Sequence, residues 1–128
     1  MKRYTEAELK QMSPLALAYI GDCVYELTVR RHLVDHGLVK VSDLHKSAVQ
    51  YVNAERQSRL YGEIENRLSE TEKEVFRHGR NAKSGHQPPH ASAAVYRRAT
   101  GMEALIGWLH LSGQDQRLKE LLSCLFAE

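Results

Sequence analysis

Two carboxylates in this chain stand in apolar surroundings, and their chemistry sets the first question. Asp22 is the sole charged residue between Met12 and Tyr25, inside Leu15-Ala16-Leu17-Ala18-Tyr19-Ile20-Gly21-Asp22-Cys23-Val24-Tyr25. That setting predicts burial. A bare carboxylate in apolar surroundings is costly, so Asp22 must be neutralised, paired with a basic side chain or bound to a metal ion. The neighbouring sequence offers no obvious cation. Glu103 poses the same question beside Met102, Leu105 and Ile106, and it shares a helical side with Ala99 and Gly107, small residues that admit another helix or a ligand. Two carboxylates on two helices are the makings of a magnesium site, because a hard cation prefers oxygen ligands and retains waters. Spacing alone leaves a structural ion pair or a plain helix contact open as well.

The elements that must position these residues are helices. Thr5 with Glu8 three residues on forms a capping box, and Ser13-Pro14 ends that first helix while opening the next. A long helix then runs to about His36, with Leu17, Ile20, Val24 and Leu27 at helical spacing and Gly37 as its stop. Its other face is also fairly apolar. Ser42 is the expected cap of a third helix carrying Leu44, Ala48, Tyr51, Val52 and Leu60, and Ser69 with Glu72 caps a fourth that stops at Gly79. Residues 80–90, with Lys83-Ser84-Gly85 and Pro88-Pro89, predict an exposed loop. Ser92 opens a further helix that ends at Gly113, and Asp115 caps the last, whose Leu118, Leu121, Leu122 and Leu125 share one face. No repeat, low-complexity tract or β-hairpin is legible. The expected architecture is all-α, a single-domain helical bundle over residues 1–128, with no room for a second folded module.

Charge distribution says more than the net charge of +2. Glu63, Glu65, Glu70, Glu72 and Glu74 outnumber Arg67 and Lys73 and read as a solvated face. From Val75 to Met102 no acidic residue occurs, while Arg77, Arg80, Lys83, Arg97 and Arg98 join His78, His86 and His90. Such a cationic surface suits a polyanion. Arg80, Asn81 and Lys83, with Ala82, Ser84 and Gly85 as small neighbours, suit contacts to phosphates or 2′-hydroxyls across an A-form groove, and a solvated loop is the alternative. His86 and His90 have zinc-like spacing but no cysteine pair beside them, so zinc is not expected. Cys23 and Cys124 read as buried thiols of a reducing cytoplasm. No apolar stretch reaches the roughly 20 residues that span a bilayer, so the expectation is a cytoplasmic protein with no membrane partner.

The segments Leu17-Ala18-Tyr19-Ile20-Gly21-Asp22 and Glu103-Ala104-Leu105-Ile106-Gly107 together resemble the two signature segments of the ribonuclease III superfamily. Arg77-His78-Gly79-Arg80-Asn81-Ala82-Lys83-Ser84 resembles the loop of its Mini-ribonuclease III branch. The resemblance covers about Leu15 to Leu111. It implies a helical bundle of the ribonuclease III catalytic-domain type that works as a homodimer, cuts both strands of duplex RNA with Mg2+ (Mn2+ as substitute), and lacks a separate double-stranded RNA-binding domain. Asp22 and Glu103 are then the implied catalytic metal ligands, and Arg80, Asn81, Lys83 and Ser84 the implied RNA contacts. Arg97 and Arg98 are weaker candidates for RNA. Wider relatives carry further acidic residues where this chain has Leu15, Ala18 and Thr100, so one largely water-coordinated ion is the implied arrangement. Glu26, one turn after Asp22, would order a metal-bound water or form a surface or dimer salt bridge. The implied substrate class is the precursor of large-subunit ribosomal RNA, presented with or without a large-subunit ribosomal protein. The competing reading is a non-catalytic helical adaptor for structured RNA or a protein partner, which has no reason to place Asp22 and Glu103 in apolar helices.

Overall fold

The computed structural model describes residues 1–83 and 92–127, and among them there are seven α-helices, two 3-10 turns and no strand. The capping box holds at the first helix, α1 (Glu6–Gln11): the Glu8 amide donates to Thr5 Oγ1 at 3.2 Å and the Thr5 amide to Glu8 Oε1 at 3.0 Å. Ser13 accepts from the Leu15 amide at 3.1 Å and Pro14 opens α2 (Pro14–Asp35), which ends where Gly37 takes a φ of 96°. The expected third helix is in fact two, α3 (Val41–Val49) and α4 (Ala54–Ile64). Asn53 divides them, because its amide donates to the Val49 carbonyl at 2.9 Å while its oxygen accepts from the Arg56 amide at 2.8 Å. One side chain thus closes α3 and caps α4. Ser42 lies inside α3, whose cap position is Lys40 with no side-chain bond.

A 3-10 turn (Glu65–Arg67) leads to α5 (Glu70–Asn81), where the Ser69–Glu72 box forms as expected. Gly79 does not stop this helix. It is a contact point, since a Cβ there would lie 2.6 Å from Ala104 Cβ and 3.0 Å from Gly101 Cα. Ser92 caps α6 (Ala93–Leu111), accepting from the Val95 amide at 3.2 Å. After Gly113, at φ 76°, Gln114 rather than Asp115 occupies the cap of α7 (Asp115–Leu122), and a second 3-10 turn (Ser123–Phe126) follows.

Helix α6 runs through the middle, with Ala99–Met102, Ala104–Gly107 and Leu109 buried, and α2, α4, α5 and α7 pack around it. Tyr25, Val29, Leu60, Ile64, Phe76, Met102, Leu105 and Leu109 form the core, closed by the stripe of α7. Each such side chain contributes roughly 1.5–3 kcal/mol by leaving water. The tightest crossing is between α2 and α6. A Cβ on Gly21 would lie 1.7 Å from the Glu103 carbonyl oxygen, and one on Gly107 would lie 1.9 Å from the Leu17 carbonyl oxygen, so only glycine lets these backbones meet.

The acidic stretch is not wholly a solvated face. Glu72 is 4% exposed, and Arg117 donates from Nε and Nη2 to its two oxygens at 2.9 Å each. The fork holds the Glu72 carboxyl below the usual carboxylate range. Nor are both thiols buried: Cys23 is exposed, and the half-buried Cys124 Sγ accepts from Arg67 Nη1 at 2.8 Å. Among the described residues no helix is long and apolar enough to cross a membrane.

Candidate active site

The glycine crossing determines where the two carboxylates lie. Asp22 follows Gly21 directly, and Glu103 is the residue whose carbonyl Gly21 touches, one turn before Gly107. The crossing brings the two side chains close enough for the charge of Asp22 to act on Glu103, although some eighty residues separate them in sequence. Glu103 is half-buried, and its carboxyl is pushed up to about 8, first by burial, then by the charge of Asp22 and a hydrogen bond with it. The Gln57 amide opposes this, donating from Nε2 to Glu103 Oε2 at 3.4 Å.

Asp22 itself is exposed, not buried. The apolar run around it serves two faces of α2. Leu17, Ala18, Tyr25 and Val29 face the core, whereas Tyr19 at 79%, Leu27 at 68% and Cys23 between them stay open to solvent. Asp22 therefore sits at the boundary, with one side on Glu103 and the other on water. Two carboxylates are a donor set that would suit a hard cation, which prefers oxygen ligands and retains waters. Among the described residues no third histidine, cysteine or acidic side chain joins them.

The surrounding side chains divide into those that reach the pair and those that do not. Glu26 pairs with Arg30 at 3.5 Å on the surface, which is the salt-bridge alternative. Arg97 and Arg98 are both exposed, and Arg98 Nε also donates to Ser58 Oγ at 2.8 Å. Arg80 and Asn81 form the last turn of α5, not a loop, and Arg80 Nε donates to Asn81 Oδ1 at 3.1 Å. The helix continues past Gly79 because that glycine packs against α6. Lys83 is exposed just beyond it, and Ser84, His86 and His90 lie outside the described residues. Gln57 was missed by the sequence reading. Its signal is a polar residue at helical spacing with Leu60 and Ile64, on the apolar side of α4.

Comparison with known proteins shows the family of this fold. Residues 15–114 match the family model of the ribonuclease III domain. The chain is 44% identical to the Mini-ribonuclease 3 of Clostridium tetani over 122 residues, covering 94% of this chain and 81% of that protein. It is 46% identical to the Mini-ribonuclease 3 of Symbiobacterium thermophilum over 111 residues, covering 87% and 85%. An X-ray crystal structure of a protein from Fusobacterium nucleatum superposes with a TM-score of 0.83 at 30% identity, covering 91% of this chain and 93% of that one. The chain belongs to the Mini-ribonuclease III branch of the ribonuclease III family. It is an endoribonuclease of double-stranded RNA, in a family that generally depends on divalent metal ions and usually dimerises.

Proposed function

We propose that Asp22 and Glu103 together hold one divalent ion, Mg2+ with Mn2+ as a substitute, and that water attacks the phosphodiester beside them. The single observation that supports this most is the meeting of the two carboxyls at the α2–α6 crossing, with Glu103 held up to about 8 by burial and by Asp22. When bound, such an ion polarises a phosphate oxygen, supplies hydroxide from water and stabilises the leaving oxygen. Glu103, fixed by the backbone contact at its own carbonyl, gives the site its position, and exposed Asp22 opens it to the RNA. Arg80, Asn81 and Lys83, with Ser84 beyond the described residues, are the proposed contacts to the RNA backbone.

The open stripe Tyr19, Cys23 and Leu27, one turn apart on α2, supports a homodimer joined on this face. Twofold symmetry would give two sites and a staggered double cut. We further propose that residues 1–128 act as a single catalytic domain in the cytoplasm, on precursors of large-subunit ribosomal RNA. An adaptor has no use for two carboxyls brought together at a helix crossing, which disfavours that reading. The test is incubation of the purified protein with base-paired RNA, with Mg2+ and with a chelator, alongside Asp22→Asn. Cleavage that needs Mg2+ and vanishes in a folded Asp22→Asn is expected. Wild-type cleavage by that variant would leave Asp22 a structural residue and overturn the proposal.

A further inference from the structure

We infer that Gln57 is a positioning residue for the cleavage reaction, its buried side-chain amide orienting the Glu103 carboxyl toward Asp22. The inference rests on the proposed reading of Glu103 as an ion ligand. Gln57 is 5% exposed and shares the inward side of α4 with Leu60 and Ile64. An amide is an expensive group to bury there, and a leucine or methionine would fill the space at lower cost. Its Nε2 donates to Glu103 Oε2 at 3.4 Å, and a carboxylate that accepts one such bond keeps lone pairs on both oxygens for other partners. A neutral donor orients a carboxylate without adding positive charge, whereas a lysine or arginine at this position would compete with a bound cation.

The helix that carries Gln57 is itself held on several sides. Next to it, Ser58 accepts from Arg98 of α6 at 2.8 Å. The Tyr25 hydroxyl of α2 donates to the Tyr51 carbonyl just before the cap of α4. Arg56 donates to the Leu125 carbonyl at 2.9 Å and covers the Tyr51 ring. These bonds tie the first turns of α4 to α2, to α6 and to the chain's last turn, so the amide reaches Glu103 from a fixed support.

The test measures Mn2+ affinity by calorimetry on the full chain, and the Mg2+ dependence of cleavage beside it. The proteins are wild type, Gln57→Met, Glu103→Gln and Ser58→Ala. Gln57→Met keeps length and volume without the donor, and Gln57→Asn, which withdraws the amide by one methylene, serves if the first variant does not fold. Loss of an outer hydrogen bond of this kind weakens ion affinity or activity by about 10- to 100-fold. Gln57→Met is therefore expected to bind Mn2+ about tenfold more weakly and to need about tenfold more Mg2+ for half-maximal cleavage, with KM for RNA unchanged at saturating Mg2+. Ser58→Ala, which removes one of several ties on α4 and leaves the amide itself in place, is expected to weaken Mn2+ binding clearly less than Gln57→Met does. If Gln57→Met binds Mn2+ as wild type does while Glu103→Gln does not, the role of Gln57 is refuted and the site stands. Equal weakening in Gln57→Met and Ser58→Ala would reduce Gln57 to a part of the packing of α4. If Glu103→Gln also binds as wild type does, both readings fall.

Discussion

Replacing Gly21 by alanine strikes the joint on which the site depends. The new Cβ would lie 1.7 Å from the Glu103 carbonyl oxygen, 2.6 Å from its carbonyl carbon and 2.9 Å from the Gly107 nitrogen. All three are backbone atoms, so no rotamer change relieves the clash. To reach ordinary contact, α2 and α6 must part by roughly 1.5 Å, a gap that forfeits much of the dispersion energy along the crossing. Overpacking of this kind costs about 1–3 kcal/mol, and the rigidity of two helix backbones places Gly21→Ala at the upper end, about 3 kcal/mol. Because the atom struck belongs to Glu103 itself, the carboxyl moves relative to Asp22, and a misplacement of about 1 Å is worth on the order of 100-fold in rate. The assay is urea denaturation together with single-turnover cleavage of duplex RNA at saturating Mg2+. Gly62→Ala is the control, because a Cβ there meets nothing within 4 Å, and it should stabilise the protein by about 0.5–1 kcal/mol through helix propensity alone. A Gly21→Ala protein within about 0.5 kcal/mol of wild type and cutting at half its rate or better would show that the crossing accommodates a Cβ without moving Glu103.

In metal-free buffer the Glu103 carboxyl, held up to about 8 in the folded state, should make stability fall as pH rises. Its contribution is complete below the usual glutamate range and is lost through about pH 8, on the order of 2 kcal/mol for a half-buried group. Urea midpoints of wild type and Glu103→Gln at pH 5 and 8.5 isolate it from His32, whose imidazole burial holds low and which works in the opposite sense; parallel pH curves would count against it. Arg80→Ala with Lys83→Ala should flatten the salt dependence of RNA binding by about one unit of slope per lost phosphate contact, nearly independently of sequence, and an unchanged slope would move RNA recognition elsewhere. Arg117→Ala strands the buried Glu72 carboxylate and should cost about 3 kcal/mol in thermal or urea melts, while a loss under about 0.5 kcal/mol would show that the fork contributes little.

Features carried by neighbouring residues were legible in the sequence. The Thr5–Glu8 and Ser69–Glu72 boxes, the Ser13-Pro14 junction and the Gly37 and Gly113 stops depend on backbone chemistry within a few positions, and they stand as read. What failed depended on contacts across the fold. Asp22 was expected to be buried because α2 is apolar almost all round, and periodicity cannot say which of two apolar faces meets the core. Gly79 read as a stop because a glycine at a helix end and a glycine at a helix crossing look alike in one dimension. Glu72 read as solvated because its partner, Arg117, lies 45 residues away. The expected third helix broke in two because Asn53 satisfies backbone groups on both sides of itself. Gln57 was visible as a polar residue on an apolar stripe, but only the fold shows that Glu103 is what it meets.

Anomalous diffraction from crystals of this protein soaked in Mn2+ would show directly whether Asp22 and Glu103 hold an ion together. A single strong peak is expected at the α2–α6 crossing, bonded to one oxygen of Asp22 and one of Glu103 at about 2.1 Å with waters completing the shell, and no such peak in Asp22→Asn. Manganese bound elsewhere, or none at the crossing at concentrations where the enzyme cuts duplex RNA, would contradict a shared site.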